Sequence, residues 1–262
     1  MTRASFDDAY ERIVLGREFV EYRDYYLHAH KRYRRTLALL GTLGLSEGAR
    51  HLDVGGGQMA LLSREMYGFV PFVGDAVRTA AADVEAQGVG FQRLNLMDET
   101  YETDEPYDLV TLCEVIEHIP VPPYITLRKL ARLLRPGGWL VMTTPNGFRV
   151  RNILRMMAGK EVLDIYRYPE GDQILGYQHE CTVRQMDWQL RHAGYATRTL
   201  ETSVTGKRGA STGARIGHGL TRRFNVFPHL RDGILIAARA PQSPPSGHAD
   251  ATADATAHKE TA

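Results

Sequence analysis

Three consecutive glycines close a short apolar run that carries one acid, His51-Leu52-Asp53-Val54-Gly55-Gly56-Gly57. Glycine has no Cβ, so such a run lets the backbone turn sharply and lets a ligand come into van der Waals contact with the main chain. N–H groups at the start of a following helix can then meet a carboxylate or a phosphate. Two more polar positions fall at comparable places. Asp75 ends the next apolar run, where a carboxylate can accept hydrogen bonds from two ribose hydroxyls. Asn95 and Asp98 follow the run after that, where a short polar side chain could bond an adenine amino group. Taken singly, each is an ordinary cap or loop residue. Their shared register at successive strand ends is what points to a nucleoside.

The glycines alone do not choose the ligand. Gly55, Gly57 and Ala60 also satisfy the relaxed dinucleotide pattern G-x-G-x-x-G/A, which keeps a nicotinamide-dependent oxidoreductase in view. Asp53, two residues before Gly55, tilts the balance. A carboxylate there would crowd a pyrophosphate, and it suits a ligand with a cationic sulfonium and an ammonium group. The candidate cofactor-binding residues are therefore Asp53, Gly55, Gly57, Asp75, Asn95 and Asp98.

Displacement from a sulfonium needs little activation of the leaving group. Positioning can supply on the order of 7–11 kcal/mol at best, and a base is needed when the acceptor is a poorly acidic hydroxyl. His118 and His179 are the candidate catalytic residues. An unperturbed histidine has a pKa of about 6.5 and is a usable base near neutrality. The competing readings are structural: Glu117-His118 fixing a loop, and His179 bonded to backbone.

These residues need a scaffold that brings strand ends together. Apolar runs at His51–Val54, Val70–Gly74, Phe91–Leu96, Tyr107–Leu112 and Trp139–Thr144 read as strands. Helical stretches near Met59–Tyr67, Val77–Gln87 and Ile125–Leu134 separate them. That alternation predicts an α/β fold with a parallel sheet covered on both faces. Residues 1–48 read as an N-terminal helical cap, in which Tyr and Leu recur at helix-like spacing. The rhythm breaks over 146–178, read as an acceptor-side insertion. It returns with a helix over Val183–Ala193, capped by Thr182, and strands near Tyr195–Ser203 and Gly233–Ala238. The binding domain spans 49–240. The chain from Pro241 to Ala262 has almost nothing to bury and reads as a disordered tail. Tyr22, Tyr25, Tyr26, Tyr166 and Tyr168 could line a pocket, but aromatic residues at helical spacing are more often packing.

Bulk properties narrow the classes. A chain of 262 residues with 43% hydrophobic and 24% charged residues can bury a globular core. A net charge of +1 gives no field that selects nucleic acid or membrane. The basic run Lys31-Arg32-Tyr33-Arg34-Arg35 reads as a solvated helix face. Cys113 and Cys181 form neither a C-x-x-C pair nor a zinc pattern, which favours a reducing compartment. No run approaches the roughly 18 apolar residues of a membrane span. The expectation is a cytoplasmic protein with a small-molecule acceptor, nucleic acid being disfavoured.

With these residues in view, the sequence resembles the class I S-adenosylmethionine-dependent methyltransferases over about residues 48–200. The matching segments are Asp53-Val54-Gly55-Gly56-Gly57, Gly74-Asp75, Asn95-Leu96-Met97-Asp98, Tyr107-Asp108-Leu109-Val110, Glu114-Val115-Ile116-Glu117-His118-Ile119, Leu133-Leu134-Arg135-Pro136-Gly137-Gly138 and Thr143-Thr144-Pro145-Asn146. The resemblance implies a Rossmann-like doubly wound sheet of seven strands, the last antiparallel. It implies S-adenosylmethionine as cofactor, with Asp53 and the glycines at the methionine part and Asp75 at the ribose. Asn95 stands where the family often has Asp, and its amide oxygen can still accept. Leu133–Gly138 would be a helix end and turn. A hydroxyl oxygen of a sugar or natural product is the implied acceptor. Two subgroups with a Glu-x-x-Glu-His arrangement methylate quinone-precursor catechols or the terminal ribose of small RNAs. By that likeness Glu114, Glu117 and His118, with His179, could hold a divalent metal. Enzymes that modify glycans or secondary metabolites place a His like His179 at the acceptor pocket. A module that binds the cofactor without turnover is a further alternative.

Overall fold

The structure is a computed structural model and describes residues 3–16, 23–76, 85–98, 101–163, 178–203 and 226–242. Tyr22, Tyr166, Tyr168, most of the helix expected over 77–87, and the tail beyond residue 242 lie outside the described residues.

A seven-stranded sheet runs through the molecule in the order β3-β2-β1-β4-β5-β7-β6. Its strands are β1 (Arg50–Val54), β2 (Val70–Asp75), β3 (Gly90–Arg93), β4 (Tyr107–Cys113), β5 (Leu134–Pro145), β6 (Ala196–Ser203) and β7 (Gly233–Arg239). β1 pairs parallel with β2 and β4, and β7 runs antiparallel to both β5 and β6. The order reverses between β1 and β4, and such a switch point leaves a crevice at the carboxyl ends of the strands.

Side chains alternate across the sheet with period two. Leu52, Val54, Val110, Leu112, Leu140 and Met142 pack into one cluster with Leu127 and Leu130 of α4 (Pro123–Leu130) and with Met186 and Leu190 of α6 (Val183–His192). Leu109, Trp139 and Val141 point to the other face. They share a core with α1 (Arg3–Tyr10), α2 (Arg23–Leu40) and α3 (Gln58–Tyr67). The N-terminal helices thus share the sheet's own core. His51, Asp53 and Thr111 fall on this same face, among apolar neighbours.

Two strand limits differ from the sequence expectation. β3 stops at Arg93, because Asn95 closes a turn by accepting from Met97 N at 3.0 Å and donating to Asp98 Oδ1 at 2.9 Å. β5 starts at Leu134, where a helix end and turn were expected, and the helix before it ends at Leu130. Leu134 pairs with Tyr107 and is buried, so the chain joins the sheet before Pro136-Gly137-Gly138, and the register shifts across that stretch.

α6 is held by a capping box. Thr182 Oγ1 accepts from Gln185 N at 3.2 Å, and Gln185 Oε1 accepts from Thr182 N at 2.8 Å. Thr182→Ala should cost about 1 kcal/mol, read as a lowered denaturant midpoint with an unchanged slope.

Candidate functional site

The turn after β1 is built by backbone geometry and one carboxylate. Gly55 and Gly57 take φ values of 91° and 81°, which disfavour any side chain. A Cβ on Gly55 would also come within 3.0 Å of Val115. Asp53 is 4% exposed. Its Oδ2 accepts from Met59 N at 2.9 Å and its Oδ1 from the Thr111 hydroxyl at 2.6 Å. The carboxylate therefore pins the loop to the first turn of α3 and to β4. Burial raises its pKa to about 6 against the pull of these hydrogen bonds.

Thr111 also meets His51 Nε2 at 2.9 Å, and His51 Nδ1 meets Ser63 Oγ at 2.6 Å. Burial lowers the His51 pKa to about 3.

A cleft of about 590 Å³, counted to the open solvent, lies at the switch point. Asp53, Gly55 and Gly56 line it from the loop, and Cys113, Glu114 and Val115 from the end of β4. Tyr25, Tyr26 and Tyr33 of α2 wall the remaining side. Gln58 ties that wall to the loop by donating to the Tyr26 hydroxyl at 2.9 Å.

Arg32 of α2 is 8% exposed and pairs with Glu114 at 3.0 Å. It also donates to the Tyr25 hydroxyl at 2.7 Å, and its buried Nε has no hydrogen-bond partner. The attraction of Glu114 raises the Arg32 pKa against burial. Glu114 itself has φ 58°, alone among the described non-glycine residues in the left-handed region. Strain of this kind gathers at functional sites.

Below this pair, Glu117 is fully buried. It accepts from the Thr144 hydroxyl at 3.2 Å through Oε2, while Oε1 has no hydrogen-bond partner. Burial, and then the charge of Glu114, push its pKa well above the usual carboxylate range. The segment that carries His179 is sewn onto this turn: Gln178 N and His179 N both donate to the Glu117 carbonyl. His179 Nε2 lies 3.2 Å from the Ile116 carbonyl. His179 is half-buried, and burial lowers its pKa, with the charge of nearby His118 acting the same way.

Residues 24–200 match a family model described as a methyltransferase domain. The chain belongs to the methyltransferase-domain family. Within it, the chain is 29% identical over 119 residues to a ubiquinone biosynthesis O-methyltransferase of Hydrogenovibrio crunogenus, covering 45% of this chain and 46% of that one. The chain spans about half the length of the curated relatives it matches. Solved structures share the methyltransferase fold. Magnesium protoporphyrin IX methyltransferase of Synechocystis PCC 6803 with bound S-adenosylhomocysteine superposes with TM-score 0.54 at 18% identity, covering 89% of this chain and 93% of that one. Haemonchus contortus phosphoethanolamine N-methyltransferase 2 with S-adenosyl-L-methionine gives 0.54 at 18%, covering 91% and 60%.

Asp53 and Gly55 line the methyltransferase domain's cleft, and Gly57 precedes α3. Asp75, Asn95 and Asp98 sit at the ends of β2 and β3, on the same sheet edge but outside the enclosed part. The Asn95 amide is engaged by its own turn, which leaves Asp98, exposed, as the more available acceptor there. His118 and His179 come together on the Ile116–His118 turn.

The metal set does not converge. Glu114 is committed to Arg32, and among the described residues no three His, Cys, Asp or Glu side chains are grouped to hold an ion.

Arg32 is a correction. The run over 31–35 is not uniformly solvated, because Arg32 falls on the buried stripe with Ala29, Tyr33, Thr36 and Leu37. A charge on an apolar stripe was the available signal for a buried ion pair beside the cleft. Tyr25 and Tyr26, read as packing, line the cleft.

Proposed function

We propose that this chain transfers the methyl group of S-adenosylmethionine to a hydroxyl oxygen of a small molecule such as a sugar or a natural product. The observation that carries it is the cleft at the switch point, where a glycine turn pinned by Asp53 shares the lining with Glu114, the ion-pair partner of Arg32. The sulfonium and ammonium of the cofactor lie toward Asp53. The ribose hydroxyls go to Asp75 and the adenine to the Asp98 turn. The oxygen acceptor is supported by relatives named as O-methyltransferases. The N-terminal cap contributes α2 as a wall of the cofactor cleft. Among the described residues no helix is long and apolar enough to cross a membrane. Cys113 and Cys181 are free thiols, which suits a reducing, cytoplasmic setting.

His179 is the base we assign. A carbonyl oxygen can only accept, so Nε2–H donates to Ile116 and the Nδ1 lone pair is left to take the acceptor's proton. His118 stands beside it as a second imidazole and tunes its basicity.

Calorimetry with S-adenosylhomocysteine tests the cofactor assignment. Asp75→Ala should weaken the complex at least tenfold, roughly 1.4 kcal/mol. Unchanged affinity would remove Asp75 from the ribose site. Binding of a reduced nicotinamide instead would return the loop to the dinucleotide reading.

A further inference from the structure

We propose that α5 (Val150–Met157) seats this chain on an anionic lipid surface. The seat does not depend on the cofactor or acceptor assigned above.

Helix periodicity sets the pattern. Val150, Ile153, Leu154 and Met157 recur at i, i+3, i+4 and i+7, which lines them along one face. The inner end of that face is packed, Val150 being buried, and the outer end is open. Leu154, Met156 and Met157 are 38%, 54% and 79% exposed, and Phe148, just before the helix, is 53% exposed. Exposed apolar side chains such as Leu27, Val70 and Met97 stand singly in the sequence and are ordinary. Four such side chains within residues 148–157 form a patch, and a patch marks a surface that binds something.

Charge identifies the occupant. Residues 147–160 hold Arg149, Arg151, Arg155 and Lys160 and no acid. Arg149 is paired with Glu180. Arg151 and Arg155 lie one turn apart beside Leu154, and Lys160 follows the helix. The next acid along the chain is Glu161, whose backbone carbonyl accepts from Arg155 Nε at 2.8 Å. A bilayer interface takes both parts of this surface at once. Met and Leu side chains enter the acyl boundary to about 5–10 Å, while the Arg and Lys stems run along them and keep their charges at anionic head groups. Nucleic acid would engage the cations and leave the apolar face wet. The net charge of +1 over the whole chain conceals this local asymmetry.

The helix is fixed at its inner end. Glu180 takes Asn152 Nδ2 at 2.6 Å and the Arg149 guanidinium, and Asn152 Nδ2 also donates to the Gly147 carbonyl at 3.1 Å. The outer end therefore projects from a firm base instead of folding back onto the core. Glu180 follows His179 in the chain, so a lipid surface under α5 lies on the His179 side of the molecule.

The test is flotation of the full chain with vesicles of phosphatidylcholine, with and without phosphatidylglycerol. Wild type should bind the anionic vesicles on the order of tenfold more tightly than the neutral ones. High salt should remove that difference by screening. Met156→Ser/Met157→Ser should weaken binding to the anionic vesicles roughly tenfold. Arg151→Gln/Lys160→Gln should reduce it to the level seen with neutral vesicles. All four residues are exposed, so unfolding midpoints should match wild type. Failure of wild type to float with anionic vesicles overturns the proposal. So does flotation that neither double variant weakens, because the contact then lies elsewhere on the chain. If wild type self-associates in ultracentrifugation, and Met156→Ser/Met157→Ser restores the monomer without changing flotation, the face is an interface between copies and the lipid seat fails. Flotation needs no cofactor. Its failure leaves methyl transfer standing, and absence of S-adenosylhomocysteine binding leaves the lipid seat standing.

Discussion

Arg32→Met should lower stability by about 3–5 kcal/mol, the usual cost of breaking a buried pair by removing one partner. Exposure sets that magnitude. Arg12–Glu65 is a shorter contact at 2.7 Å, but its side chains are 59% and 44% exposed, and such a pair contributes about 0–1 kcal/mol. Arg32 and Glu114 are 8% and 19% exposed. Removing the guanidinium leaves the Glu114 carboxylate half-desolvated on a strained backbone, and it leaves the Tyr25 hydroxyl without its donor. Denaturant unfolding of Arg32→Met, Glu114→Gln and the double variant forms the cycle that checks this. The double variant should recover much of the loss, because no buried charge is then left alone. Additive losses would show that the two residues do not act as a pair.

The pair also shows where the sequence was readable. β1, β2 and β4 are short runs buried over most of their length, because both faces of a parallel sheet are covered, and their limits follow from the residues to within one position. The glycine turn and Asp53 could be located because strand-end position and residue type coincide. What lay beyond reach was contact between distant segments. Arg32 and Glu114 are brought together only when α2 folds over the β4 end, and no local pattern records that. Asp53 was legible as a site acid, yet its partners Met59 and Thr111 required the β1–β4 pairing. His51 read as one more strand residue. Its two hydroxyl partners come from α3 and β4, so its buried network emerges only from the sheet register. Leu134 misled for a different reason: a Pro-Gly-Gly sequence reads as a turn, while the burial of Leu134 pulls the chain into the sheet before the turn is made.

His179→Ala should lower kcat by about 10²–10⁴ while S-adenosylhomocysteine affinity stays near that of wild type. The side chain is placed to act and to be spared by the cofactor. Its ring is oriented through Nε2 by the Ile116 carbonyl. Its backbone is fixed to the Glu117 carbonyl on one side. On the other, the adjacent Glu180 carboxylate is gripped by Arg149 and by Asn152 Nδ2 at 2.6 Å, at the start of α5 (Val150–Met157). A base on a platform this constrained loses little entropy in reaching the acceptor, so positioning adds to proton transfer. Because burial, then His118, lowers the His179 pKa, the neutral base form is already populated below the ordinary histidine value. Activity should therefore rise with pH along a limb centred below about 6.5 and stay flat above it. His118→Gln removes the neighbour that lowers the His179 pKa and should move that limb upward without abolishing it. His179→Ala should abolish the limb altogether, leaving a slow rate that depends on the acceptor's own ionisation. A limb that survives in His179→Ala and disappears in His118→Gln would transfer the base to His118, and would make the Ile116 hydrogen bond a structural anchor only.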